Sequence, residues 1–500
     1  MRTLYRNGRI LVNAASPATG LLVEDGRLVW LGHGSEDVPA DRTVDLAGAL
    51  VTPAFVDAHV HATGAGLALT GLDLTGATSL VDALDRVERQ CRAARGRPVL
   101  GHGWDETNWP EHRRPTLAEL DRAAYGGAVY LSRVDVHSAL ASSALLAATP
   151  AVTSLAGFRP DGWLAGAAQN AARTVAFSSL GDGQIRDAQR ATRRHAASLG
   201  IGCLHEMGGP ETSSADDLAG LIALAASEPG PEVIPYWAEL FGIDTARELG
   251  AVGAAGDLYC DGSIGSHTAL FSAPYHDVPD TRGELVLDAD AMAEHVRRCV
   301  DAGLQAGFHA IGDAAVDAVV TAFERPGPGS GTGHRVEHAE LVSSPARLAA
   351  TGLTVSMQPA FDALWGGEQG LYAERLGVER SLGTNRFADL ARAGSPLAFG
   401  SDVPVTPLDP WGAVRAAAHH HAPEGSISVA AAFAAHTVGG WRAARRDGGE
   451  LLVGAPATFA VWSAGPVNED TGLPDVSPGA ELPTCSHTVV RGETIFELGS

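Results

Sequence analysis

Four histidines and one aspartate carry the chemistry that this sequence offers. His59 and His61 form a His-x-His pair at the end of the apolar run ALVTPAFVDAHVH. Residues two apart on a strand point the same way, so both imidazoles face one side. His309 ends LQAGFHA, His338 ends HRVEHA, and Asp402 ends PLAFGSD. Each lies where a barrel strand delivers a side chain to its C-terminal mouth. A single buried histidine is ordinarily a satisfied core residue. Four of them with a carboxylate, all at the ends of predicted parallel strands, read as a site for Zn2+ or a similar divalent metal.

The elements around these residues fit that reading. The middle of the chain alternates strand-like runs with Ala/Leu/Arg-rich helical stretches, the pattern of a parallel sheet or barrel. Eight barrel strands are expected: ALVTPAFVDAHVH, IGCLHE, EVIPYWAEL, DLYCDG, LQAGFHA, HRVEHA, LTVSMQP and PLAFGSD. The gap between the first two is too long for one crossover, so residues about 65–195 hold an inserted subdomain, with strands near VLGHGW and AVYLSRV. The two ends, 1–52 and 448–500, are strand-rich and are expected to build one composite β-sandwich domain beside a barrel of 53–447. Glu24 to Arg27 is an Asp-Gly hairpin signal, and 325–334 reads as a flexible loop. The fold class is therefore α/β, a (β/α)8 TIM-like barrel with a small sheet domain and an insertion.

Composition narrows the function. The 500 residues include 36 Lys+Arg and 59 Asp+Glu, a formal charge of −23, and every one of the 36 cations is Arg. Without lysine there is no lysine Schiff base, P-loop lysine or carbamylated lysine. The acidic balance argues against nucleic acid or an anionic membrane as partner. No apolar run reaches the roughly 18 residues of a membrane span, and the first residues lack a signal-peptide core. The five scattered cysteines point to a reducing, cytoplasmic location. The expected partner is a small-molecule substrate, with a homo-oligomer possible in principle.

Taken in order, PAFVDAHVH, DGSIGSHTA, HAIGD, HRVEHA, SMQP and GSDVPV resemble the amidohydrolase superfamily, and most closely its YtcJ-like branch, amidohydrolase family 3. GWDETNWPEHRRPTLAELD (103–121) and RVDVHSALASSAL (133–145) resemble that branch's insertion. The resemblance implies a distorted barrel in which His59, His61 and Asp402 bind the more buried metal. His309 and His338 hold a second metal, or the substrate in a one-metal variant. It implies hydrolysis of a non-peptide C–N bond by a metal-bound hydroxide, with Asp402 as general base. The alternatives are a mononuclear deaminase and a non-catalytic small-molecule-binding barrel.

The binuclear branch bridges its metals with a carbamylated lysine, whose position here is Asp257. Two carboxylates could substitute. Glu206 at the end of IGCLHE is expected to bridge in preference to Asp257, which is much shorter than a carbamylated lysine, with a mononuclear site as the third possibility. His137 matches a histidine of the branch's DxH motif and is expected to help hold the substrate carbonyl. Trp104 and Asp105 are expected to shape the pocket. Ser142 stands where an Asn is usual, and His267 where an Arg is usual. His205 is expected to be structural, His419-His420-His421 a solvated surface stretch, and Cys203 and Cys260 buried and inert.

Overall fold

A computed structural model describes residues 1–12, 18–34, 37–134, 136–178, 180–327 and 329–499. Asp135 of the DxH motif and Pro328 of the 325–334 loop lie outside the described residues.

The barrel strands are β1 (Phe55–Val60), β2 (Ile201–Gly208), β3 (Glu232–Trp237), β4 (Gly253–Ala254), β5 (Gln305–Ala310), β6 (Arg335–His338), β7 (Thr354–Met357) and β8 (Leu397–Phe399). They pair in that order and are parallel throughout. A bridge between Val60 and Val403 brings the two ends of the sheet together. Nearly every strand residue is buried, as expected when helices cover the outer face and side chains fill the interior.

Gly400 permits that closure. A Cβ there would lie 2.6 Å from the His59 amide nitrogen and 2.7 Å from Asp57 Oδ1, a backbone approach that only glycine allows. Asp57 fastens the same seam, its Oδ1 accepting from the amides of Ser401 (2.9 Å) and His59 (3.3 Å).

The fourth strand differs from expectation. The ladder is made by Gly253 and Ala254, not by DLYCDG. After Ala254 the chain leaves the ladder and turns through Gly256 at φ +104, where a Cβ would meet Met207 Sδ at 2.7 Å. DLYCDG regains the sheet only at the Tyr259–His309 bridge. A strand this short ends deep in the barrel, so residue 257 already stands at the mouth.

The two ends of the chain contribute to one eight-stranded sheet where a separate β-sandwich domain was the expectation. Its order runs Glu493–Glu497, Thr484–Val490, Phe459–Ser463, Leu50–Pro53, Arg2–Ile10, Ala18–Glu24, Arg27–Gly32, with Arg42–Asp45 beside Arg2–Ile10. Its core includes Tyr5, Leu21, Leu28, Phe459 and Val489. The Asp-Gly hairpin forms as the sequence indicates, with Glu24 opposite Arg27 and both turn residues at positive φ. This sheet and the barrel belong to one compact unit, Met1–His61 with Arg193–Ser500.

Ala62–Thr192 form a second compact unit. It holds a five-stranded sheet in which Val99–Trp104 and Val129–Arg133, both expected as strands, lie adjacent. No helix among the described residues is long and apolar enough to cross a membrane.

Candidate metal centre

Six side chains from five parts of the barrel converge at its C-terminal mouth. His59, His61, Asp257 and Asp402 form one group whose nitrogen and carboxylate atoms all lie within 4.8 Å of one another. Asp257, His309 and His338 form a second group on the same criterion. Asp257 belongs to both.

Its two oxygens divide the work. Oδ2 lies 3.0 Å from His61 Nε2. Oδ1 lies 3.4 Å from His59 Nε2 and 3.5 Å from His338 Nε2. Asp402 Oδ1 stands 3.4 Å from His59 Nε2 and 3.2 Å from His61 Nε2.

Whether these residues suit a metal is tested by their polar atoms. His59 Nε2, His338 Nε2 and Asp257 Oδ1 are buried and make no hydrogen bond. Unsatisfied buried polar atoms cost free energy, and three facing one another need a common partner. Ligands about 2.0–2.2 Å from a tetrahedral ion lie about 3.3–3.6 Å apart; the three separations at His59 and His338 fall in that range, at 3.4 to 3.5 Å, and the two at His61 are shorter, at 3.0 and 3.2 Å. Imidazole and carboxylate donors suit zinc and neighbouring divalent ions. The donor set fits a divalent metal.

The charges agree. Burial alone would push the His59 imidazole down, but the Asp257 and Asp402 carboxylates overcome it and hold the group well above the usual histidine range. His61, against the same burial, is raised to about 9 by those two carboxylates. His338 is raised too, burial notwithstanding, chiefly through Asp257. Asp257, although buried, is held well below the usual carboxylate range by His59, His338 and His61. Without an ion, the imidazolium protons take the place of the metal's positive charge.

Four of the six are supported from behind. His59 Nδ1 lies 3.0 Å from Glu337 Oε2, and His338 Nδ1 lies 2.8 Å from Gln358 Oε1. With Nδ1–H as donor in both, each Nε2 is left to face the centre. His309 Nδ1 lies 3.4 Å from Asp261 Oδ1. Asp261 is itself pinned by three amides, those of Leu270 (2.8 Å), Ile311 (3.0 Å) and Gly312 (2.9 Å). The Asp402 amide donates to His59 O at 2.8 Å. His338 and Asp402 adopt left-handed backbone conformations, φ +68 and +57, a conformation that costs energy for these residue types and is concentrated at functional sites.

Glu206 does not enter either group. It is buried on β2, whereas Asp257 supplies the carboxylate near both sets of imidazoles. The expectation that Asp257 falls short rested on side-chain length. The early end of β4 brings its backbone to the mouth and removes the need for length.

Of the other candidates, Trp104, Asp105, His137 and Ser142 belong to the second unit. Trp104 lies in the core of the insertion unit, its indole N–H donating to Leu131 O at 3.0 Å. Asp105 accepts from Thr107 N at 3.0 Å and Arg133 Nη2 at 3.1 Å. His137 is half-buried in the same unit, just before the strand Ser138–Ala141. Ser142 caps the helix Ser143–Ala148. His267 Nε2 is 2.9 Å from Asp277, which also accepts from Arg375 at 2.6 Å, so it sits in an ion-pair network. His205, expected to be structural, accepts from Arg335 Nη1 at 3.2 Å. Cys203 and Cys260 are buried, and burial pushes both thiols up.

The histidine tract requires a correction. The helix Pro410–Ala418 ends before it, and His420 is buried, its Nε2 3.0 Å from Thr384 O, not solvated. Glu337, Gln358 and Asp261 were not singled out from the sequence. Their signal was adjacency: each lies next to or within a motif that carries a ligand or a Gly.

Residues 42–496 match the amidohydrolase family model. The chain belongs to the amidohydrolase family. It is 26% identical to the YtcJ protein of Bacillus subtilis (strain 168), over 99% of this chain and all of that one. It is 24% identical to the N-substituted formamide deformylase of Arthrobacter pascens, over 91% of this chain and 92% of that protein. Among solved structures, a metal-dependent hydrolase from Pyrococcus furiosus superposes with a TM-score of 0.75 at 28% identity, covering 92% of this chain and 98% of that one.

Proposed function

We propose that the chain hydrolyses a non-peptide C–N bond of a small organic molecule, an amide, formamide, cyclic amide or imine, with two divalent metals bridged by Asp257. The observation that carries this reading is the membership of Asp257 in both ligand groups. His59, His61 and Asp402 would hold one ion with it, and His309 and His338 the other. The likeness to a formamide deformylase over nine-tenths of both chains supports the formamide class.

A divalent metal supplies Lewis acidity when bound: it makes water a nucleophile near neutral pH and polarises a carbonyl. The protein's own steps follow from position. Asp402, buried and 3.2 Å from His61 Nε2, takes the proton of the attacking water and returns it to the leaving nitrogen.

The test is a panel of N-substituted formamides, cyclic amides and imines offered to protein reconstituted with Zn2+ or Mn2+. Turnover of at least one class is expected, with Asp402→Asn lowering kcat by about 10²–10⁴-fold, the usual worth of a general base. A metal-loaded protein that hydrolyses nothing in the panel contradicts the reading. So does unchanged kcat in Asp402→Asn.

A further inference from the structure

A buried ion pair lies directly behind the His59 ligand. Arg335 and Glu337 are both on β6, two residues apart, and so share the face that points into the barrel. Both are fully buried. The guanidinium grips the carboxylate through two nitrogens, Nε to Oε1 and Nη2 to Oε2, the latter at 2.9 Å. Such forked pairs fix direction as well as charge.

Arg335 is held in turn by four other strands. Its Nη2 donates to Ala58 O on β1 at 2.7 Å and to Ser356 Oγ on β7 at 3.0 Å. Its Nη1 donates to His205 Nδ1 on β2 at 3.2 Å. Its guanidinium carbon lies 4.7 Å from the centroid of the Tyr236 ring on β3. The same Oε2 that accepts from Arg335 Nη2 also meets His59 Nδ1 at 3.0 Å.

Strand alternation would send Glu337 and His338 to opposite sides. The left-handed backbone at His338 (φ +68) breaks the alternation, so consecutive residues serve the same centre from two directions. Ion pairs this deep contribute little net stability and are often replaceable by apolar side chains. A stability role therefore explains the pair poorly, whereas a fixed acceptor for one imidazole explains its shape.

We infer that Arg335 and Glu337 are positioning residues for His59: the pair locks the imidazole with Nε2 toward the metal, and so sets affinity at the His59/His61 position and not at the His309/His338 position. The inference rests on the metal reading above. It concerns orientation, and its test reads metal binding and not turnover.

The full-length chain is stripped and titrated with Co2+ alone, following the visible absorption of the ion and its affinity against a competing chelator. Three proteins are compared: the parent, Glu337→Gln, and the double variant Arg335→Met/Glu337→Gln. The double variant guards against a misfolded single variant, because removing both charges leaves no unpaired ion in the core. Circular dichroism and Tm report the fold.

In both variants, the expected result is about 10–100-fold weaker binding at one of two positions, the usual cost of losing a ligand's supporting partner. The absorption of that site changes, and the other position is untouched. A folded double variant with parental affinity and an unchanged Co2+ spectrum at both positions would overturn the positioning role and leave the metal reading standing. Equal weakening of both positions would also overturn it. A parent chain that binds no Co2+ would overturn both.

Discussion

The two halves of the metal centre are built differently. The His59/His61/Asp402 half sits on the seam where the barrel closes. Its parts are tied by backbone: Asp402 N to His59 O at 2.8 Å, His61 N to Val403 O at 3.0 Å, and Gly400 packed against the His59 amide. The His309/His338 half lies away from that seam: His309 is tied by backbone to the segment after β4, with His309 N to Leu258 O at 3.1 Å and Cys260 N to His309 O at 2.9 Å, while Gln358 meets His338 and Asp261 lies beside His309. One half sits on the closure of the fold, the other does not. A change at the seam should therefore disturb both fold and metal, and a change behind His338 should disturb metal alone.

The sharpest break is Gly400→Ala. The added Cβ meets backbone, which cannot swing aside, so the seam must open. A loss of about 1–3 kcal/mol is expected, as for other overpacked sites, together with loss of the ion at the His59/His61 position. Differential scanning calorimetry and metal analysis check it; an unchanged Tm with full metal content would show that the seam is not needed.

Gln358→Leu is the matching change in the other half. The acceptor for His338 Nδ1 is lost while bulk is kept, so affinity at that position should fall about 10-fold with little change in Tm. Comparable loss of stability in both variants would erase the contrast between the halves.

The third consequence is electrostatic and smaller. In the metal-free protein the neighbouring carboxylates hold His59 well above the ordinary histidine range and raise His61 to about 9, so both carry protons at pH 7, and His338 is shifted in the same direction. A metal requires neutral imidazole, so binding must release protons, and affinity must rise with pH until these groups are deprotonated. Calorimetric titration with Zn2+ in buffers of different ionisation enthalpy should show proton release at pH 7, shrinking as pH approaches about 9. Zero net release at pH 7 would contradict the site's charge state.

Much of this centre was legible in the sequence, because His59, His61, His309, His338 and Asp402 end apolar runs that could only be buried strands. The insertion was legible from the length between the first two of them. What escaped has physical causes. Asp257 was undervalued because side-chain length was compared on an assumed strand; the real β4 stops at Ala254, and Gly256 turns the chain toward the mouth. Glu337 escaped because period-two alternation hides it beside His338, and only a positive φ reveals that both serve one site. His420 was misplaced because a helix was assumed where the chain had already left it. Trp104 is core to its own unit, and a motif cannot tell a wall from a core.

The lysine-free composition returns here as a location. Where the resemblance implies a carbamylated lysine, Asp257 stands as a member of both candidate ligand groups, and it is the proposed joining group. The most direct measurement compares Asp257→Asn with Glu206→Gln, each loaded with Mn2+ without added bicarbonate and read by metal analysis and electron paramagnetic resonance. The account predicts two equivalents and an exchange-coupled pair signal in the parent and in Glu206→Gln, and loss of the coupled signal with one ion or fewer in Asp257→Asn. A coupled pair that survives Asp257→Asn but disappears in Glu206→Gln would contradict it.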